Sequence, residues 1–343
     1  MRVGIGVAGT GSHMPETVIT NDELAKLIGR GDKGADWAEN KLGISARRFM
    51  TRLDNYGKPV EHADELDMAE KATRDALLNA NMSTSDVDGI YLVSCTQFGH
   101  DRHHFSKSVL ELHKRLGLRA NAVSMEMDAG CGGALHAMIL GSKIISGNSM
   151  DNMLIVASNG PSRFYGDWES YVASNQWLPM YIFGDGAGAT VLRRSENIVS
   201  GSEIIASYIA NDPTNPLMYF EPRGNKPEPL YVIDGRGVAV SFSKYAKQAL
   251  DGLQQKHRFD WNDVDRFYFH QVNGKVLTKF VEKMGFPLEK VAMHVDRYGN
   301  IAAAATLVLM DEDRKAGVVA DGALCVFCTV GAGAQYGAAL IRL

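Results

Sequence analysis

The sequence predicts an α/β fold made of two halves with a similar plan. Apolar strand patterns alternate with amphipathic helix patterns along the chain. The order of these elements repeats in the second half. A unit of buried strand, glycine-rich reversal and strand ending in arginine also occurs twice: NMLIVASNG with the later FGDGAGATVLRR, and ALCVFCTVGAGAQYGAALIRL. The polar stretch RRSENIVSGS separates the two copies, so the halves are expected at residues 1–198 and 199–343.

In the first half RVGIGVAGTG, DGIYLVSC, AVSMEMD, NMLIVASNG and AGATVLRR read as strands. DELDMAEKATRDALLNA reads as a helix through Met68, Ala72, Ala76 and Leu77, and CGGALHAMILGSKIISG as another. In the second half the strands are EIIASYIAN, DRFYFHQ, ALCVFCTVG and GAALIRL. SKYAKQALDGLQQKH, GKVLTKFVEKMGF and AAAATLVLMDEDRKAG have helical spacing. No low-complexity linker divides the halves, so they are expected to pack as one body.

Composition narrows the function classes. The 343 residues carry a net charge of −4, with 45% hydrophobic and 22% charged residues. That is ordinary for a globular protein with a full core, and no global field favours nucleic acid or an anionic membrane. No run approaches the roughly 18–20 apolar residues of a membrane span, and the glycine-rich start lacks the apolar core of a signal peptide. A cytoplasmic protein is expected. Four cysteines, at 95, 131, 325 and 328, are too few for a disulfide scaffold. Cys325 and Cys328 have CxxC spacing but lie in a strand, where residues three apart face opposite ways. The run His100-Asp101-Arg102-His103-His104 lacks a second ligand cluster, and no metal is expected. GDGAGAT at 184–190 leads into a strand and lacks the Lys-Ser/Thr of a phosphate loop.

Three residues stand out as candidates for chemistry. Cys131 sits among Gly130, Gly132 and Gly133, where a strand pattern turns into a helix pattern. It reads either as a small buried residue or as a nucleophile whose thiolate is favoured by the positive end of the helix. His270 ends a strand just before a helix, where α/β proteins place site residues, although a structural histidine fits equally. Asn300 opens the alanine-rich run IAAAATLVLM and reads as a helix cap or as a site residue.

Together these stretches resemble the β-ketoacyl-acyl-carrier-protein synthase III family, the initiating condensing enzymes of the thiolase superfamily. The resemblance spans essentially the whole chain. It is carried by DAGCGGAL, FGDGAGATVL, HQVN at 270–273, DRYGNIAAAA at 296–305 and the final GAGAQYGAALIRL. It implies a thiolase-like fold in α-β-α-β-α layers and a homodimer. Cys131 would carry the acyl group, with the Cys131 and Gly333 amides as oxyanion hole. His270 and Asn300 would hold a malonyl thioester while it loses carbon dioxide. No cofactor would be bound permanently, because coenzyme A or acyl-carrier-protein thioesters are the substrates. The partners implied are the carrier protein and acyl-CoA, with neither nucleic acid nor membrane.

The resemblance also places lesser roles. Trp37 matches the tryptophan that stacks on the coenzyme adenine, and Lys41 stands where arginine is usual near its phosphates. Lys244 and Lys275, with Lys247 and Lys279, would form a basic patch for an acidic carrier. Phe105 matches the residue that crosses the dimer interface to close the partner's acyl tunnel. The usual adenine-sandwiching arginine is missing and the stretch DGRGVAVSFSKYAK is longer than usual, which points to a specialised, secondary-metabolism member. The rival readings are an acyltransferase delivering the Cys-bound group to a hydroxyl or amine, and a non-catalytic carrier-binding subunit.

Overall fold

The computed structural model describes residues 4–29, 31–54, 59–62, 64–96, 107–198, 200–214, 217–221 and 230–343. The strand patterns assemble into two main sheets. The first has the order Ile5–His13, Gly186–Arg194, Asn152–Asn159, Gly89–Val93, Val123–Met127. The second runs Glu203–Asn211, Gln335–Arg342, Leu324–Val330, Arg266–Phe269. In both, the first strand pairs antiparallel with the last, and the last pairs antiparallel with an inner strand. That inner strand runs parallel to an earlier one. The first sheet adds Val123–Met127 as a parallel edge strand. The inner strands NMLIVASN and LCVFCTV are buried on both faces, which explains why they read as continuous apolar runs.

Three helical layers alternate with the sheets. Gly133–Ser146 and Ala305–Lys315 lie between them, and Leu135, Met138, Leu307 and Met310 share one core with Val7, Ile155, Phe327 and Ile341. Glu65–Asn79 and Lys107–Leu116 cover the outer face of the first sheet. Gly235–Lys256 and Gly274–Met284 cover the second. This is the thiolase-like α-β-α-β-α arrangement. Cys325 packs into the central core and Cys328 into the outer one, so the CxxC pair shares neither a metal nor a bond.

A fourth cluster caps the end of the sheets where the site lies. It joins Asn21–Leu27, Gly31–Leu42, Leu178–Ile182 and a hairpin of Met218–Glu221 with Leu230–Ile233. Buried Arg47 ties the cap together: its guanidinium donates to the Ile19 carbonyl at 3.1 Å and to Asn21 Oδ1 and the Tyr181 carbonyl at 2.8 Å each. Burial lowers it to about 10, which leaves it charged at neutral pH. Asp185 of GDGAGAT does a similar task. Its carboxylate accepts from the Met50 N–H at 2.6 Å, the Ser162 N–H at 3.0 Å and the Ser162 hydroxyl. The motif therefore anchors cap loops to the first sheet.

Candidate active site

Cys131 occupies a 3₁₀ turn, Gly130–Gly132, between the edge strand Val123–Met127 and the helix Gly133–Ser146. Gly130 has φ +52°, a left-handed conformation that a side chain would resist. The Gly130 N–H donates to Asp128 Oδ1 at 3.0 Å, closing an Asx turn that sets the approach to Cys131. Cys131 is 6% exposed. Burial, with a contribution from Asp128, pushes its thiol up to about 12, and its own N–H opposes the shift. Burial thus outweighs the helix-end effect anticipated from the sequence, and the thiol is protonated at rest.

His270 follows the strand Arg266–Phe269, its N–H donating to the Cys328 carbonyl at 2.9 Å. Burial alone lowers its pKa to about 4, so the ring is neutral at physiological pH. Nδ1 is buried without a hydrogen-bond partner among the described residues. The neighbours in HQVN position it. Gln271 Nε2 donates to the carbonyls of Phe269 at 2.9 Å and Ala292 at 3.2 Å, while its Oε1 accepts from the His294 N–H at 3.1 Å. Asn273 caps the helix Gly274–Met284 by accepting from the Val276 N–H at 2.8 Å.

Asn300 is 4% exposed and differs from the sequence expectation. It opens no helix: Ala302–Ala304 form a 3₁₀ turn and the α-helix starts at Ala305. A short helix, Val295–Tyr298, precedes it rather than a strand. The left-handed Ala302, φ +47°, breaks the run that looked continuous. The Asn300 backbone instead joins the cap, donating to the Ile182 carbonyl at 2.8 Å and accepting from the Gly184 N–H at 3.2 Å. Its Oδ1 accepts from the Ala302 N–H at 2.8 Å. The carbonyl end of the amide is thereby occupied, and Nδ2 is the end left to donate.

These three side chains line one cavity. Its remaining wall is chiefly apolar, with Phe183, Met218, Phe242 and Val272, and among the described lining residues there is no lysine or arginine. A second cavity meets it at Cys131 and is lined by Cys95, Asp128, Tyr231, Gly333 and Gln335. Ala332 borders both, whereas Gly333 borders only the second. The loop is pinned on either side, by the Gly331 N–H to the Gln335 carbonyl at 2.7 Å and the Ala334 N–H to the Asp212 carbonyl at 3.0 Å. The sequence reading missed Ala332, Gln271 and the cap residues Phe183 and Met218. For Gln271 the HQVN context was the available signal, for Phe183 the FGDGAGATVL stretch and for Ala332 the final glycine loop; Met218 had none.

The lesser candidates separate. Trp37 is half-buried and meets Trp177 edge-on at 5.2 Å and Tyr181 at 6.2 Å. Lys41 and Lys275 are exposed, and the chain segments that carry them approach at one close contact: a Cβ on Gly43 would lie 3.3 Å from the Lys275 backbone nitrogen. Lys244 is engaged elsewhere, with Asp212 at 3.5 Å and the Tyr245 ring at 4.5 Å. Lys247 pairs with Asp251 at 2.6 Å. Phe105 and the His100–His104 run lie outside the described residues. Among those described, no group of three or more metal-ligating side chains occurs, and no helix is long and apolar enough to cross a membrane.

The chain as a whole is similar to known proteins. Residues 125–213 match the 3-oxoacyl-[acyl-carrier-protein] synthase III family, and residues 254–343 match its C-terminal region. The β-ketoacyl-[acyl-carrier-protein] synthase III of Alkalilimnicola ehrlichii is 28% identical over 345 aligned positions, covering 98% of each chain. The crystal structure of 3-oxoacyl-[acyl-carrier-protein] synthase III from Aquifex aeolicus superposes with a TM-score of 0.82 at 25% identity, over 99% of this chain and 100% of that one. OleA of Xanthomonas campestris, crystallised with lauric acid and lauroyl-CoA, has a TM-score of 0.86 at 18% identity over 100% of both chains, a likeness of fold.

Proposed function

We propose, from the premise that this chain belongs to the 3-oxoacyl-[acyl-carrier-protein] synthase III family of condensing enzymes, that it joins a Cys131-bound acyl group to a malonyl-type thioester. The observation that carries this reading is the convergence of Cys131, His270 and Asn300 on one cavity. In the first half-reaction the Cys131 sulfur attacks an acyl thioester. The C–S bond to the carrier breaks, the free carrier thiol leaves with the proton, and the acyl group stays on Cys131. The carbonyl oxygen turns negative in the transition state. The Cys131 N–H and an amide of the Gly331–Gly333 loop, Gly333 or its neighbour Ala332, would meet it. Removing one such donor typically costs about 10²–10³ in rate.

In the second half-reaction the malonyl thioester lies against His270 and Asn300. Its C–CO₂ bond breaks and the electron pair moves onto the thioester oxygen, giving an enolate. A neutral imidazole and the Asn300 Nδ2 supply two donors without a formal charge. No base is required. The enolate carbon then attacks the acyl carbonyl, a C–C bond forms, and the Cys131 sulfur departs and regains a proton. The apolar wall suits a carboxylate that is leaving as neutral carbon dioxide.

Coenzyme A and acyl-carrier-protein thioesters are the proposed acyl donors, and the carrier protein the proposed partner. Lys41 and Lys275 support a phosphate- or carrier-facing patch, with Trp37 beside it; Lys244 is tied to Asp212 and supports this least. A homodimer is supported by the edge strand Val123–Met127, where Val123 and Met125 are 44% and 47% exposed.

Intact-mass measurement tests the reading. Incubation with acyl-CoA is expected to add one acyl mass, which Cys131→Ala abolishes. Malonyl thioester should then discharge the adduct with release of carbon dioxide. An adduct that persists in Cys131→Ala refutes the nucleophile. An adduct discharged only by an alcohol or amine replaces condensation with acyl transfer.

A further inference from the structure

Two cavities meet at Cys131, and they differ in chemistry. The one holding His270 and Asn300 is walled by apolar side chains. The other carries a carboxylate: among its described lining residues Asp128 alone is charged, with the Gln335 amide and Tyr231 alongside. Asp128 stands three residues before the nucleophile, so its backbone is within about 11 Å of Cys131 even if the chain were fully extended. Its orientation is set, because Oδ1 accepts the Gly130 N–H at 3.0 Å. Burial is the main cause that raises the pKa of both thiols of the chamber, and the Asp128 charge adds to it at Cys131 and at Cys95. The wall around Cys95 is held in turn by Glu65, which accepts from the hydroxyls of Ser94 and Thr96 at 2.7 Å each.

The condensing reaction uses two thioesters of different charge. The acyl donor can be neutral, whereas the malonyl extender carries a carboxylate. An enzyme with one nucleophile must keep the extender from loading onto it. Asp128 is exposed, so water and salt weaken its field, but a second carboxylate brought within a few ångströms of it is still repelled, and specificity is often built from such repulsion.

We infer that Asp128 is a specificity-determining residue of the acyl chamber, rejecting carboxylated acyl groups at the loading step and admitting neutral or hydrogen-bond-donating ones, such as hydroxyacyl groups. This rests on the reading of Cys131 as the acyl-bearing nucleophile. It adds a sorting role, in which the extender is steered to the apolar cavity because the polar one repels it.

The test compares loading rates of butyryl-CoA, 3-hydroxybutyryl-CoA and succinyl-CoA, each followed as the intact-mass adduct on Cys131. The wild-type protein is expected to load both uncharged donors at least about tenfold faster than succinyl-CoA. Asp128→Asn keeps an oxygen for the Gly130 N–H but removes the charge, and should shrink that preference about tenfold. The wild-type preference should also weaken as salt rises from low to about 1 M, a readout that needs no variant. A purely structural Asp128 would slow all three donors alike, so an unchanged ratio in Asp128→Asn overturns the inference. So does rapid succinyl loading by the wild type. If no donor loads at all, the nucleophile reading falls first and the inference with it. If loading is normal but unsorted, only the inference falls.

Discussion

His270 shows how burial sets the chemistry of a single residue. Its imidazole lies 3% exposed, and desolvation lowers its pKa to about 4, below the ordinary 6.5. The lowered pKa means that the neutral form prevails from about pH 5 upward and that imidazolium appears only below about 4. A ring that keeps one protonation state across the working range donates the same hydrogen bond throughout. The rate of malonyl-thioester decarboxylation should therefore be flat between about pH 5.5 and 8 and fall only as pH approaches 4. A pH profile of carbon dioxide release checks this, and an acidic limb centred near 6.5 would contradict it. Cys131, at about 12, adds no titration in that window. Asn300 complements the ring. With Oδ1 held by the Ala302 N–H, the amide presents its N–H side without a charge.

At the scale of elements, glycines in Ile5–His13 let the helix Glu65–Asn79 sit directly on the strand. A Cβ at Gly11 would lie 2.2 Å from the Ala72 carbonyl oxygen, and one at Gly9 2.3 Å from that of Ala76. Both obstacles are backbone, so the helix itself would have to move. Gly11→Val is expected to destabilise the protein by about 3 kcal/mol or more, measured as a drop in the denaturation midpoint. Elements of this kind were readable because their patterns are long. The buried runs NMLIVASN and LCVFCTV and the helix through Met68, Ala72 and Ala76 are each dictated by one or two packed faces. The cap was not readable. Its hairpin strands, Met218–Glu221 and Leu230–Ile233, have four residues each, too short for a period, and their partners are distant in sequence. Asn300 was marked as a candidate through its motif context. Its local structure was not, because a left-handed alanine leaves no mark in an alanine run. The Cys131 context revealed a turn before a helix, but not the degree of burial that decides the state of the thiol.

Over the whole molecule, the two halves are joined by more than apolar packing. Asp311, on the central helix Ala305–Lys315, accepts from Thr10 Oγ1 at 2.9 Å and Ser12 Oγ at 2.6 Å, both on the first strand. Lys315 bridges Asp311 at 2.8 Å and Asp75 at 2.5 Å. The central core likewise draws on both sheets at once. Like the other sheet edges among the described residues, Val123–Met127 has a strand neighbour on one side only. An exposed edge with Val123 and Met125 invites pairing with another chain. Charge on that edge opposes such pairing, so the double variant Val123→Lys, Met125→Lys should shift the proposed dimer toward monomer in light-scattering measurements. That edge is also the segment leading into the candidate active site: Asp128, Ala129 and Gly130 are all that separate Met127 from Cys131. In the proposed dimer, turnover per subunit becomes a property of concentration, expected to fall on dilution as subunits part, even though each retains its own cysteine, histidine and asparagine.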